Sequence, residues 1–213
     1  MDHSVHTVIF DLDGTLSDSA ILTLHAFNVA APKYGFPVPT EEEIRRATGY
    51  ANPEFYYILF PGYPREKIFE MGQFVEQEEL RLLPEVGDKL LFSGCRELLV
   101  CLRKHGVRLH IASTGDHGHV CSILKQTGIT SFFDSISCGQ PDKTEMLREI
   151  TKDGKREGYV MVGDMAKDST AARANRIVSI GACYGYCQAE TSDFDHYIGS
   201  PMELLTRIGR PME

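Results

Sequence analysis

The sequence has few basic residues, no CxxC pair and no long apolar run, and each absence excludes a class of protein. Its 22 lysines and arginines stand against 30 aspartates and glutamates, for a formal net charge of −8, which argues against nucleic-acid binding. No apolar stretch reaches the roughly 20 residues of a membrane span. The N-terminal apolar run is too short for a secretory signal and is interrupted by Asp11. We therefore expect neither nucleic-acid nor membrane partners.

The six cysteines are scattered and do not have the spacing of a disulfide framework. The two closest, Cys183 and Cys187, have three residues between them. Free thiols in a reducing compartment explain this pattern best, so we expect a cytoplasmic protein.

Residues 18–88 show helical patterns and no strand signal. Apolar residues recur at helical spacing over 19–31 and stop at Pro32, which predicts that the first helix ends there. Further on, Thr40 can cap a helix and Glu43 stands three residues later, which is the spacing of a capping box. This segment is therefore predicted to be an all-helical unit.

The rest of the chain alternates short apolar strands with helices, beginning with a strand at about residues 5–11. Such alternation predicts βαβ units and a parallel sheet. We predict an α/β fold in which residues 1–17 and 89–213 form a three-layer Rossmann-like core with a sheet of five or six strands. Residues 18–88 are predicted to form an all-helical cap domain inserted into that core.

Acidic and hydroxyl side chains stand where three of the predicted strands end. They are Asp11 and Asp13 after "TVIF", Ser113 and Thr114 after "RLHIA", and Asp164 after "YVMVG", with Asp168 four residues on. Ligands of open parallel sheets bind at the carboxyl ends of the strands. The sequence therefore predicts a polar site at that edge of the sheet.

The chemistry of this set points to phosphate. Clustered carboxylates repel one another, so a hard cation such as Mg²⁺ would hold Asp11 and Asp164 together, and Mg²⁺ favours a site completed by phosphate. The hydroxyls and N–H groups of residues 113–115 suit phosphate oxygens, and Lys143 is the best-placed lysine to balance the charge. Asp11 could attack phosphorus as a nucleophile, while Asp13 could transfer protons.

These motifs together resemble the haloacid dehalogenase superfamily, specifically its Mg²⁺-dependent phosphatases. "DLDGT" is similar to the family's first motif, Ser113 to the second, Lys143 to the third and "GDMAKD" to the fourth. The helical insert resembles the cap of the phosphoglycolate phosphatase and β-phosphoglucomutase branch. The resemblance covers nearly the whole chain.

The resemblance implies a role for each matching residue. Asp11 would be the nucleophile and Asp13 the general acid and base. Mg²⁺ would be held by Asp11, the backbone carbonyl of Asp13, and Asp164. The implied phosphate-binding and supporting residues are Ser113, Thr114 and Lys143 on the phosphoryl group, Thr15 positioning Asp13, and Asp168 supporting the metal.

Three departures from the branch pattern bear on the function. The branch usually has a lysine directly after a glycine, whereas this chain reads "GQPDK" and places Lys143 two residues after the proline. The cap histidine of the mutases is replaced by Thr23, with His25 two residues out of register. The cap lysine of the phosphonatases has no counterpart, since Lys33 falls beyond the predicted helix end. The last two absences favour a phosphatase.

The predicted substrate is a small phosphorylated metabolite, and the turn "TGYANPEF" places Gly49, Tyr50 and Asn52 where they could contact it. A phosphoglucomutase-type phosphotransferase and a non-catalytic regulatory protein remain alternatives, and either a monomer or a homodimer is open. Other polar and aromatic groups have simpler interpretations. We interpret His117 and His119 as part of a helix-start loop and not as metal ligands. Residues 55–57 are expected to form cap core, and residues 76–79 are expected to form a solvated helix face.

Overall fold

The computed structural model describes residues 5–186 and 193–209. Within them, six parallel strands form one sheet in the order β3-β2-β1-β4-β5-β6. The strands are β1 Thr7–Phe10, β2 Arg108–Ser113, β3 Ser135–Cys138, β4 Tyr159–Gly163, β5 Val178–Ala182 and β6 His196–Ile198. The helices are α1 Ser19–Tyr34, α2 Glu41–Ala47, α3 Glu54–Leu59, α4 Arg65–Val86, α5 Cys95–Lys104, α6 His117–Gln126, α7 Lys143–Thr151, α8 Ala166–Asn175 and α9 Glu203–Arg207.

The first strand lies at the centre of the sheet and is buried on both faces. Its sequence TVIF has no exposed position, as expected for a parallel strand covered by helices on either side. Phe10 pairs with Ile111 of β2 on one side and with Val162 of β4 on the other. The chain builds β2 and β3 to one side of β1 and then returns to the other side with β4. This reversal opens a crevice at the carboxyl ends of β1 and β4, where such sheets bind ligands.

Helices α1 to α4 follow β1 directly and pack around an apolar cluster of their own. Its buried members include Phe27, Ile44, Phe60 and Met71, each at most 2% exposed. The larger core cluster combines strand residues with α5, α6 and α9, and it also includes Leu22 of α1 and Leu83 of α4. The predicted fold class is thus confirmed, as an α/β three-layer core with a parallel sheet and an inserted helical cap.

The predicted capping box at the start of α2 is also confirmed. The Thr40 hydroxyl accepts from the Glu43 N–H at 3.2 Å, and the Thr40 N–H donates to the Glu43 carboxylate at 2.7 Å. The side chain of each residue therefore accepts from the backbone N–H of the other, as this motif requires.

The predicted end of α1 at Pro32 is wrong, because the helix continues to Tyr34. A proline near the end of a helix removes only one backbone hydrogen bond. The actual stop is Gly35, whose φ of +74° lets its N–H and that of Phe36 bond back to the last turn. Lys33 consequently lies inside the helix, and its ammonium sits 3.6 Å from the Phe74 ring centroid of α4.

No helix in the described part of the chain combines the length and apolarity needed to cross a membrane. The cysteines within the described ranges are free thiols, and Cys187 lies outside them.

Candidate active site

Three buried carboxylates meet at the crevice between β1 and β4. Asp11 follows β1, Asp164 follows β4, and Asp168 lies in the first turn of α8. One oxygen from each lies within 4.8 Å of the others, and none of the three residues is more than 4% exposed. The edge predicted from the strand ends therefore brings these acids together.

The hydrogen bonds of this cluster leave one carboxylate oxygen without a partner. Asp11 Oδ1 accepts from the Leu12 N–H at 2.7 Å, and Asp168 Oδ2 accepts from the Met165 N–H at 3.0 Å. Asp164 Oδ1 accepts from the Thr15 hydroxyl at 3.1 Å, whereas Asp164 Oδ2 is buried and has no hydrogen-bond partner. The Thr15 hydroxyl is thus used on Asp164, and its expected role in positioning the Asp13 side chain stays a prediction.

Burial makes this concentration of negative charge costly. It raises the pKa of Asp11 to about 7, against the lowering effect of Lys143 and with a further rise from Asp168. Burial, together with the charges of Asp11 and Asp168, raises the pKa of Asp164 well above its ordinary value. A bound cation would offset this cost because it favours the charged carboxylates.

Lys143 is the cation already present in the cluster. Its Nζ lies 2.7 Å from Asp11 Oδ2 and 2.6 Å from Asp168 Oδ1, and the side chain is 2% exposed. Burial acts to lower the pKa of Lys143, but Asp11 and Asp168 outweigh it and raise that pKa. The position of the lysine two residues after the proline in "GQPDK" has a local reason. Asp142 caps α7 by accepting from the Thr144 N–H at 2.8 Å. Lys143 is therefore the first residue of the helix.

The turn after β1 requires glycine at position 14. Gly14 has φ of +78°, and a Cβ there would lie 2.3 Å from Asp164 Oδ2. No side chain can occupy that position without displacing the carboxylate.

The end of β2 brings two hydroxyls to the same edge. Ser113 is 1% exposed, and its Oγ accepts from the Gly115 N–H at 3.1 Å. The Thr114 hydroxyl points instead to the cap, where it donates to the Gly49 carbonyl at 3.1 Å. Residues 113–115 therefore lie directly before α6, the arrangement that was predicted to suit phosphate oxygens.

Asp13 turns away from the acid cluster and contacts a histidine. Its Oδ1 lies 3.0 Å from His119 Nε2 of α6. Burial raises the pKa of Asp13, but the His119 charge and hydrogen bond outweigh it and hold that pKa below its usual value. Burial in turn lowers the pKa of His119, and Asp13 outweighs it to raise that pKa to about 10. His119 was expected only to form part of a helix-start loop, so this contact was missed.

Behind His119 lies Glu79 of the cap helix α4. Glu79 Oε2 is 3.9 Å from His119 Nδ1, and its Oε1 accepts from the Thr23 hydroxyl of α1 at 2.6 Å. The expected solvated face at residues 76–79 is therefore wrong for Glu79, whose side chain is only 14% exposed. The spacing of Gly72, Glu79 and Leu83, on one face of α4 with Val75, could have indicated this.

A pocket of about 170 Å³ separates the cap from α6, and Asp13 lines it. Gly49, Tyr50 and Asn52, the three predicted specificity residues, also line this pocket. Asn52 Nδ2 donates to Glu76 Oε1 at 2.9 Å. The expectation that residues 55–57 form cap core is confirmed, since Tyr56 is a buried member of the cap cluster and Phe55 and Tyr57 pack against it. Phe55 and Tyr56 also line the pocket.

The fold and the site together define a class of capped α/β proteins that gather carboxylates at the ends of parallel strands. Residues 8–182 match the family of haloacid dehalogenase-like hydrolases, and the chain belongs to that family. It lies in the branch similar to phosphoglycolate phosphatases and is an enzyme of the phosphatase type.

The chain is similar to relatives whose names cover more than one activity. The chain is 26% identical over 223 residues to the phosphoglycolate phosphatase of Synechococcus elongatus, an alignment that covers 98% of this chain and 99% of the relative. It is 30% identical over 202 residues to the tyrosine-protein kinase PtkA of Mycobacterium tuberculosis, covering 89% of this chain and 66% of that protein. Among solved structures, a haloacid dehalogenase-like hydrolase from Streptococcus pneumoniae superposes with a TM-score of 0.81 at 25% identity, covering 97% and 99% of the two chains.

Proposed function

We propose that the protein is a Mg²⁺-dependent phosphatase that hydrolyses the phosphate monoester of a small metabolite through an aspartyl-phosphate on Asp11. The observation that carries this proposal is the meeting of Asp11, Asp164 and Asp168 with Lys143 at the carboxyl ends of β1 and β4. A nucleophile, a set of metal ligands and a phosphate-binding cation then share one buried site.

The residues fit a Mg²⁺ ion. Asp164 Oδ2 is a buried oxygen without a partner, and hard carboxylate oxygens are the ligands that Mg²⁺ prefers. Asp11, Asp164 and the backbone carbonyl of Asp13 would hold the ion, with Asp168 in support. When bound, it would neutralise carboxylate charge and stabilise negative charge on the phosphoryl oxygens.

The side chains divide the reaction into two half-reactions. In the first, a carboxylate oxygen of Asp11 forms a bond to phosphorus, the bond to the leaving oxygen breaks, and Asp13 passes to that oxygen a proton that it receives from His119, its hydrogen-bond partner. In the second, Asp13 accepts a proton from water as the water oxygen attacks phosphorus. Phosphate then leaves and the Asp11 carboxylate is restored. Ser113, Lys143 and the backbone N–H of Thr114, whose hydroxyl is bonded to the Gly49 carbonyl, would bind the phosphoryl oxygens during both steps.

We further propose that the cap comprises residues 18–88 and the core residues 1–17 and 89–213, of which 5–17, 89–186 and 193–209 are described. The two linking segments run side by side at this boundary. The Asp18 N–H donates to the Leu90 carbonyl at 2.7 Å, and the Phe92 N–H donates to the Leu16 carbonyl at 3.0 Å. Two adjacent short connections would allow the cap to move as a unit over the site.

The nucleophile is tested with Asp11→Asn and a generic aryl phosphate. The variant should fold, as judged by circular dichroism, but lose hydrolysis, since an amide cannot form the phosphorylated intermediate. EDTA should likewise silence the wild type, and added Mg²⁺ should restore it. Wild-type turnover in Asp11→Asn would disprove the mechanism.

A further inference from the structure

The pocket between cap and core lies on one side of the proposed site. Asp13 and Thr114 line it, whereas Asp11, Ser113 and Lys143 do not. If Asp13 exchanges a proton with the leaving oxygen, the pocket beside it holds the part of the substrate that departs from phosphorus. The chemistry of the walls then indicates the class of leaving group, an inference that rests on the proposed function.

The charged side chains that line this pocket are mostly acidic. They are Asp13, Glu76, Glu79 and Asp116, with His119 as the counterpart. Among the described residues that line it, there is no lysine or arginine, and His119 is already hydrogen-bonded to Asp13. A leaving group that carries a carboxylate would meet like charges here with no unpaired cation to bind it, which disfavours it.

Two cap side chains that line the pocket already donate to its acids. The Thr23 hydroxyl donates to Glu79, and the Asn52 amide donates to Glu76, so both glutamates are held in position by cap side chains. Burial raises the pKa values of both glutamates, and Asp116 adds to the rise for Glu76. A positive group placed among these acids would relieve their repulsion.

Aromatic rings form another part of the wall. Phe55 and Tyr56 line the same pocket, as does Tyr50, whose ring already has the Lys167 ammonium 4.2 Å from its centroid. Aromatic faces attract ammonium groups. Acids and aromatic rings together suit a small organic cation.

We propose that the leaving group is a short alcohol that carries an ammonium group, so that the substrate class is the phosphate monoesters of amino alcohols. Glu76, Glu79 and Asp116 would bind the ammonium group by charge, and the pocket would discriminate against esters such as phosphoglycolate that carry a carboxylate in its place.

The test compares three esters of similar size with the Mg²⁺-loaded wild type: phosphoethanolamine with an ammonium group, phosphoglycolate with a carboxylate, and propyl phosphate without charge on the alcohol. We expect kcat/KM for phosphoethanolamine to exceed that for each of the others by about tenfold or more. An aryl phosphate, para-nitrophenyl phosphate, is measured in parallel to report the phosphatase chemistry alone.

Two variants assign the preference to the pocket. Glu76→Gln and Glu79→Gln should each reduce the kcat/KM ratio of phosphoethanolamine to phosphoglycolate at least severalfold, chiefly through a higher KM for phosphoethanolamine. The ratio is the informative quantity, because an indirect effect of Glu79 on Asp13 through His119 would change both substrates alike. Glu66→Gln is the matched control: Glu66 is an exposed glutamate of the same helix outside the pocket, and its ratio should equal that of the wild type.

The outcomes separate this inference from the function on which it rests. Preference for phosphoglycolate or propyl phosphate, equal rates for the three esters, or an unchanged ratio in both pocket variants would overturn the substrate class. The phosphatase proposal would survive those results as long as the aryl phosphate is hydrolysed in an Asp11-dependent way. If no ester were hydrolysed with Mg²⁺ present, both proposals would fail.

Discussion

Asp11 and Asp13 are two residues apart, yet their carboxylates have different neighbours. Asp11 faces Lys143 at 2.7 Å within the acid cluster, whereas Asp13 faces His119 at 3.0 Å beside the pocket. Their pKa values move in opposite directions, up to about 7 for Asp11 and down for Asp13, because burial prevails at the first and the histidine at the second. Two carboxylates in different environments can take different roles in one reaction.

At the residue scale, Lys143→Met should cost both activity and stability. The ammonium is buried between Asp11 and Asp168, and its removal leaves two carboxylates without their cation. We expect turnover to fall by about 10²-fold or more, and metal-free protein to lose about 3–5 kcal/mol of unfolding free energy in urea titrations.

The matched control for this lysine is Lys152→Met. Lys152 pairs with Glu149 on the surface of the same region, and exposed pairs contribute little to stability. It should therefore leave turnover and unfolding unchanged. If Lys143→Met kept wild-type turnover, Lys143 would not be the third-motif lysine.

At the element scale, the turn between α2 and α3 joins the cap to two parts of the core. The Gly49 carbonyl accepts from the Thr114 hydroxyl and from Lys167 Nζ, each at 3.1 Å, and Lys167 also lies 4.2 Å from the Tyr50 ring centroid. Thr114 adjoins Ser113, and Lys167 adjoins Asp168. The position of the cap turn is thus coupled to the segments proposed to bind phosphate and metal.

Lys167→Met should loosen this turn without touching the chemistry. Loss of the bond to Gly49 and of the contact with the Tyr50 ring should raise KM severalfold, leave kcat for an aryl phosphate largely unchanged, and speed amide hydrogen exchange in residues 48–52. Lys125→Met, at an exposed site on α6, is the control. Unchanged exchange in Lys167→Met would show that this contact does not hold the turn.

Elements were predictable from the sequence where the signal is local, and contacts between elements were not. The Thr40 and Glu43 capping box lies within four residues, and the acids gather because parallel strands share one carboxyl edge. By contrast, the row from Asp13 through His119 and Glu79 to Thr23 joins side chains from four segments across the cleft. No periodicity in a single segment encodes that pairing. The end of α1 was predicted at Pro32, but the helix ends at Tyr34 because Gly35 provides the C-terminal cap.

At the scale of the whole molecule, the core and the cap contribute different parts of the proposed site. The buried acids and Lys143 belong to the core, and the pocket is completed by α1, α4 and the turn before α3 of the cap. Without a bound metal, the buried carboxylates lower the free energy of unfolding of the core, since Asp164 has a buried oxygen without a partner. Stability of the whole chain and occupation of the site are therefore linked.

Asp164→Asn should abolish this linkage. Burial raises the pKa of Asp164 well above its ordinary 3.8, so an ionisable group at this position destabilises the metal-free fold progressively as pH rises above that value. In EDTA, urea unfolding should show the variant gaining stability relative to the wild type between pH 4 and pH 8. Saturating Mg²⁺ should stabilise the wild type, by about 2.7 kcal/mol at a hundred times its Kd, and leave the variant unchanged. Equal stabilisation of both proteins by Mg²⁺ would place the metal elsewhere.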